Sequence, residues 1–151
     1  DQPAKKRCGN CHRCIDACPT KAIDEGREIN AEKCLSYQTI ENRESLSEEA
    51  SASIGNTIYG CDACLKACPW NKFATPNDTP ELQPKAELMQ MTRQEWEILS
   101  EEDYQKLFKG SAVKRVKYKG LMRNIKAAAC YSQGKNLPLS TKTKDNEQKN
   151  K

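Results

Sequence analysis

An α+β architecture is what this sequence predicts: a small cysteine-rich domain, then a helical region, then a disordered tail. Three observations predict it. Cys8, Cys11, Cys14 and Cys18-Pro19 form a C-x2-C-x2-C-x3-C-P run, and Cys61, Cys64 and Cys68-Pro69 repeat its last three members. Residues 21–23 and 27–29 flank Asp24-Glu25-Gly26 as the two arms of a β-hairpin. From about residue 92 the apolar spacing turns helical, and beyond residue 132 almost nothing apolar remains.

The first run is the bacterial ferredoxin pattern, in which three cysteines hold one [4Fe–4S] cluster and the fourth ligates another. The reason is geometric. A cubane needs one thiolate at each of four irons, and a tight loop reaches only three corners. The second run lacks its first member, and Cys34, with 26 residues between it and Cys61, reads as that member moved away by an insertion. The motif then assigns Cys8, Cys11, Cys14 and Cys68 to one cluster and Cys34, Cys61, Cys64 and Cys18 to the other. That exchange of Cys18 and Cys68 follows from the motif and not from spacing alone. The fold expected is therefore a two-[4Fe–4S] ferredoxin-like domain carrying an insertion.

Zinc is the competing reading, since it also uses four-cysteine sites built from C-x2-C pairs. A zinc knuckle has no use for three cysteines within seven residues followed by C-P, nor for that pattern almost repeated. These spacings also disfavour a secreted disulfide framework, and they point to a reducing, cytoplasmic compartment. No apolar run approaches the roughly 20 residues of a membrane span. The 151 residues are 36% hydrophobic and 6% aromatic, so an ordinary apolar core is thin. Two clusters would tie distant segments together, and residues 1–75 are expected not to fold without iron and sulfide. The formal net charge of +4 counts cysteines as neutral. Two clusters at about −2 each, thiolates included, bring the loaded protein to about zero.

The elements follow in order. Gly9 permits the tight backbone of the first loop. His12, the single histidine, reads as a solvated side chain. Residues 15–18 make a helical turn that Pro19 ends. The hairpin places Ala22 or Ile23 and Ile29 over the cluster, and residues 30–33 lead into Cys34. Residues 35–60 are the insertion, with a helix over about 47–53 capped by Ser45 or Ser47. Residues 76–91, rich in Pro, Asn and Thr, read as a linker. Residues 92–131 form a helical basic region. Thr92 and Glu95 have the form of a capping box, Ser100 starts a second helix, and a third spans about 112–130. Trp96, Tyr104, Leu107 and Phe108 pack between these helices. Residues 132–151 cannot bury enough apolar surface to offset their ordering entropy, so a disordered tail is expected. Cys130 lies outside the cluster pattern and reads as a small, partly buried residue.

Several segments together resemble epoxyqueuosine reductases. Cys8-Gly-Asn-Cys11-His-Arg-Cys14-Ile-Asp-Ala-Cys18-Pro-Thr-Lys-Ala-Ile resembles that family's first cluster motif. Cys34-Leu-Ser-Tyr37-Gln-Thr-Ile40-Glu41 resembles its Cys-Ile-Ser-Tyr-Leu-Thr-Ile-Glu segment. Residues 54–64 with Cys68-Pro69-Trp70-Asn71 resemble its second motif, and Gly110 to Arg115 with Gly120 to Asn124 resemble the helical segment that follows. Lys21, in place of a common small residue, is a minor departure. The likeness covers about residues 8–128. It implies reduction of the epoxide of epoxyqueuosine to queuosine in a tRNA anticodon. The clusters would pass electrons singly to a cobalamin, and a protein acid would protonate the leaving oxygen. The family's N-terminal domain, which holds most of the cobalamin and supplies that acid, has no counterpart here. The resemblance therefore implies the C-terminal, electron-relay part of the enzyme, inactive by itself and with no catalytic residue in this chain. It would work with the cobalamin-binding N-terminal domain, a tRNA anticodon stem-loop and an electron donor the sequence does not name. A monomer is expected.

Lys114, Arg115, Lys117, Lys119, Arg123 and Lys126 place six positive charges in thirteen residues with no acid among them. On a helix Lys119, Arg123 and Lys126 share one face at i, i+4 and i+7. Such a cluster supplies phosphate contacts, which set affinity and salt dependence rather than sequence choice. The plain competing reading is a solvated helix face. At the level of function, a free-standing two-cluster electron carrier and a zinc-bearing nucleic-acid-binding module compete with the tRNA-reductase reading. Reductive dehalogenases also couple such clusters to cobalamin, but their small substrates need no basic helix.

Overall fold

The computed structural model describes Gln2 and residues 7–134. The expected disordered tail falls, from residue 135 on, outside the described residues. Eight α-helices order the described part: α1 (Arg13–Asp16), α2 (Leu35–Ile40), α3 (Glu48–Ser53), α4 (Ala63–Ala67), α5 (Ala86–Gln90), α6 (Arg93–Glu97), α7 (Glu101–Leu107) and α8 (Lys117–Ser132). Short 3-10 turns span Pro69–Phe73, Pro80–Leu82 and Ala112–Val116.

The α+β expectation needs correction. Among the described residues the hairpin reduces to one isolated antiparallel bridge, Ile23 to Ile29, and no strand extends from it. The cause is local. The turn over residues 24–28 closes on itself, with Asp24 N–H donating to Glu28 O at 3.1 Å and Glu28 N–H to Asp24 Oδ1 at 2.8 Å. Cys34 N–H then bonds to Asn30 O and Ala31 O, so the chain turns into α2 where a longer ladder would have to continue. The expected linker also holds a helix, α5, and the Pro80–Leu82 turn.

Helix starts follow local chemistry. The Ser47 side chain caps α3 by accepting from Ala50 N–H at 3.1 Å, which settles the choice between Ser45 and Ser47. Thr92 and Glu95 make a reciprocal capping box on α6, and Ser100 caps α7 through Asp103 N–H. The helix expected over 112–130 is interrupted. Residues 112–116 form a 3-10 turn, Lys117 takes φ 61° and ψ 160°, and the α-helix runs on from there.

α8 is the spine of the molecule and packs on α2, α3, α6 and the 112–116 turn. Its Leu121 and Ile125 join Leu99, Tyr104, Phe108 and Val116 in one buried cluster, with Trp96 and Leu107 against it. Its Ala127 joins Leu35, Ala50 and Ile54 in a second. The aromatic residues pack as expected, with ring centroids 5.3 Å apart for Tyr104–Phe108 and 6.2 Å for Trp96–Phe108. No helix among the described residues is long and apolar enough to cross a membrane.

Candidate metal centre

The two cysteine runs meet through their helices, since α1 packs on α4. All nine cysteines carry free thiols, Cys8 exposed and the others partly buried. The first loop starts with a turn, Cys11 N–H to Cys8 O at 3.0 Å, that Gly9 permits by taking φ 50°. Cys14 lies in α1, and Cys18 follows its end, with its N–H on Ile15 O. Cys64 lies in α4. Cys68 ends α4 and caps the Pro69–Phe73 turn, where Pro69 sets the backbone.

The side-chain electrostatics link the runs. Burial pushes the Cys64 thiol up, and the charges of Cys61 and Cys18 push it the same way. Cys18 therefore stands near the Cys61–Cys64 pair although it belongs to the first run. Burial would also raise Cys18, but hydrogen bonds outweigh it and leave its pKa below the ordinary thiol value. The largest of these comes from Ala22 N–H, 3.2 Å from Cys18 Sγ, and the Thr20 backbone and hydroxyl add to it. These donors all point at Cys18 Sγ, and the thiolate is the form that binds metal.

Cys34 is brought to the second run by the insertion. It is the N-cap residue of α2, and Thr39 of that helix is fully buried. Thr39 Oγ1 donates to Leu35 O at 2.8 Å and accepts from Gly60 N–H at 3.1 Å, next to Cys61. Asn124 of α8 closes the joint. Its Nδ2 donates to Thr39 O at 2.8 Å and to Ile58 O at 2.9 Å. The donor set, seven thiols in two runs whose helices pack together plus Cys34, has the number and chemistry that two cubanes need. Among the described residues no three His, Cys, Asp or Glu side chains converge closely enough to hold a single ion.

Arg27 was not anticipated by the motif. Its Nη2 donates to Gly9 O at 2.8 Å and to Cys11 O at 3.1 Å, so one guanidinium holds the loop between the first two cysteines. No spacing rule marks it, because its partners are backbone carbonyls. His12 is solvent-facing, its Nδ1 3.6 Å from Glu25.

The six basic residues divide. Lys114, Lys117, Lys119 and Lys126 are exposed. Arg115 is exposed but pairs with Glu41 through Nε, which holds that carboxyl below its ordinary value. Arg123 departs from the expectation. It is half-buried, with Nη1 donating to Asn42 O and Glu44 O, and Nη2 to Gln38 O at 2.8 Å and Asn124 Oδ1 at 2.9 Å. Its guanidinium staples the insertion to α8 and is not presented to a phosphate. The physical reason is that the Gln38 carbonyl in the last turn of α2 and the Asn42 and Glu44 carbonyls just beyond it converge on one forked donor.

Residues 7–71 match the 4Fe-4S double cluster binding domain. An epoxyqueuosine reductase of Cellulophaga algicola is 42% identical over 125 residues, which cover 83% of this chain and 41% of that protein. A crystal structure of a selenomethionine-labelled epoxyqueuosine reductase superposes with a TM-score of 0.77 at 31% identity, over 87% of this chain and 35% of that one. A crystal structure of an epoxyqueuosine reductase with an epoxyqueuosine-modified tRNA-Tyr stem loop gives a TM-score of 0.70 at 29% identity, over 87% of this chain and 35% of that one. The chain thus spans about two fifths of the length of the curated relatives it matches.

Proposed function

From a stretch shared with epoxyqueuosine reductases over most of its own length and about two fifths of theirs, we propose that this chain is the electron-relay and tRNA-contacting part of such an enzyme. The observation that carries the reading is the paired cysteine runs, brought together by the packing of α1, which holds Cys14, on α4, which holds Cys64. Cys8, Cys11, Cys14 and Cys68 would hold one [4Fe–4S] cluster, and Cys34, Cys61, Cys64 and Cys18 the other. When bound, the clusters would supply one-electron steps toward a cobalamin held mainly by a part of the enzyme outside this chain, for reduction of the epoxide of epoxyqueuosine.

The chain's own residues prepare this. The Ala22 N–H lies 3.2 Å from Cys18 Sγ and would stabilise negative charge on the sulfur that crosses to the second cluster. The Thr39–Gly60 and Asn124–Ile58 bonds fix the approach of Cys34 to Cys61 across the insertion. The exposed Lys114, Lys117, Lys119 and Lys126 offer cations to RNA phosphates, while Arg123 holds the insertion in place and Arg115 is engaged by Glu41.

Titrating an anticodon stem-loop across a salt series tests the RNA part. Replacing Lys114, Lys117, Lys119 and Lys126 together by Ala should weaken binding similarly for different stem-loop sequences. The slope of log K against log salt should become shallower by about 0.7–0.9 for each phosphate that a lysine no longer neutralises. Unchanged affinity and slope would remove the RNA-contact role and leave a two-cluster electron carrier.

A further inference from the structure

We infer that Arg27 is a positioning residue for the cluster held by Cys8, Cys11 and Cys14, and that it raises the reduction potential of that cluster relative to the other. This rests on the reading that the two runs bind [4Fe–4S] clusters.

Two independent observations place Arg27 there. Its Nη2 bridges Gly9 O and Cys11 O, the backbone on either side of the first loop's turn. Its Nε is buried and is the one buried side-chain nitrogen or oxygen without a hydrogen-bond partner among the described residues. A buried N–H left unpaired costs stability unless some acceptor meets it. Thiolate and sulfide sulfurs are acceptors of that kind, and the loop that Arg27 grips carries the cysteines.

The backbone also points to a role. Arg27 takes φ 63°, a left-handed conformation that L side chains rarely adopt, right after Gly26. Its own N–H bonds to Asp24 O at 2.9 Å inside the turn. The turn thus holds an arginine in an unfavourable backbone region that puts its guanidinium on the cysteine loop.

The electrostatic consequence has a definite sign. Reducing a [4Fe–4S]2+ cluster to the 1+ state adds one negative charge. A fixed guanidinium and an N–H donor nearby stabilise the reduced form more than the oxidised one, so the potential rises. In contrast, the second cluster's Cys18 is served by the neutral Ala22 N–H and the Thr20 backbone N–H and hydroxyl. Two clusters in one small domain would then differ in potential, which gives the relay a direction.

The test uses the full chain loaded under anaerobic conditions, with iron and sulfide counted first, and a dithionite titration followed by electron paramagnetic resonance. Arg27→Gln keeps a polar side chain and loses the charge. One of the two cluster components should shift to lower potential while the other stays, at undiminished iron content. Arg27→Lys keeps the charge without the fork and should shift the same component by less; it also carries the test if the Gln variant loads poorly. Two full clusters whose potentials stay unchanged, or move together, in the variants would overturn the role of Arg27. A wild-type chain that takes up no sulfide would instead overturn the cluster reading itself.

Discussion

Asn124 is fully buried on a helix that its charge pattern marks as a surface element. It shares a face with Leu121, Ile125 and Ala128, so a polar group is placed where the packing is apolar. Its Nδ2 serves the carbonyls of Thr39 and Ile58, and its Oδ1 accepts from Arg123. Asn124→Ala would leave those two carbonyls without a donor and open a small cavity. The expected loss is about 2–3 kcal/mol in denaturant unfolding of the cluster-loaded protein. A change below about 0.5 kcal/mol would show that the clamp is not what holds the insertion to α8. At this scale the double-cluster domain was legible in the sequence because its cysteines repeat at a fixed spacing. Arg27, Thr39 and Asn124 were not, because they act on backbone carbonyls and amides that any residue could present. The one available signal for Asn124 was its place among apolar residues at helical spacing.

At the level of elements, helix starts were legible where the cap is local. Thr92 with Glu95, and Ser100, act within three residues of themselves. The third helix was read as continuous from 112, but it breaks at Lys117, whose φ of 61° no periodicity reveals. Gly120 shows why the break is tolerated. A Cβ there would lie 2.9 Å from Cγ2 of Val116, which is itself 1% exposed and packed in the core. Gly→Ala within a helix ordinarily stabilises by about 1 kcal/mol. Overpacking a core costs about 1–3 kcal/mol. Gly120→Ala should therefore lower stability, by about 1 kcal/mol net, as a lower unfolding midpoint in urea. A raised midpoint would mean that Val116 moves aside without cost. The hairpin, likewise, was placed correctly but is only a bridge, because the turn at 24–28 and the entry to α2 leave no room for a ladder.

For the whole molecule, the cysteine-rich part and the helical part were read in the sequence as successive units. The structure joins them, with α8 packed on α2 and α3 and Arg123 reaching the carbonyls of Gln38, Asn42 and Glu44. Those hydrogen bonds join residues about eighty positions apart, beyond the reach of any local pattern. The two cysteine runs, in contrast, are marked in the sequence by their own spacing, and the structure brings their helices α1 and α4 together. The charge cluster was visible as well, but its division into exposed lysines and an inward-facing Arg123 depends on where α2 ends. Whether the chain holds two cubanes is tested by purifying it without oxygen and measuring iron, acid-labile sulfide and zinc per polypeptide. About eight irons and eight sulfides, the content of two [4Fe–4S] clusters, are expected. About two zinc ions with no sulfide would contradict that reading.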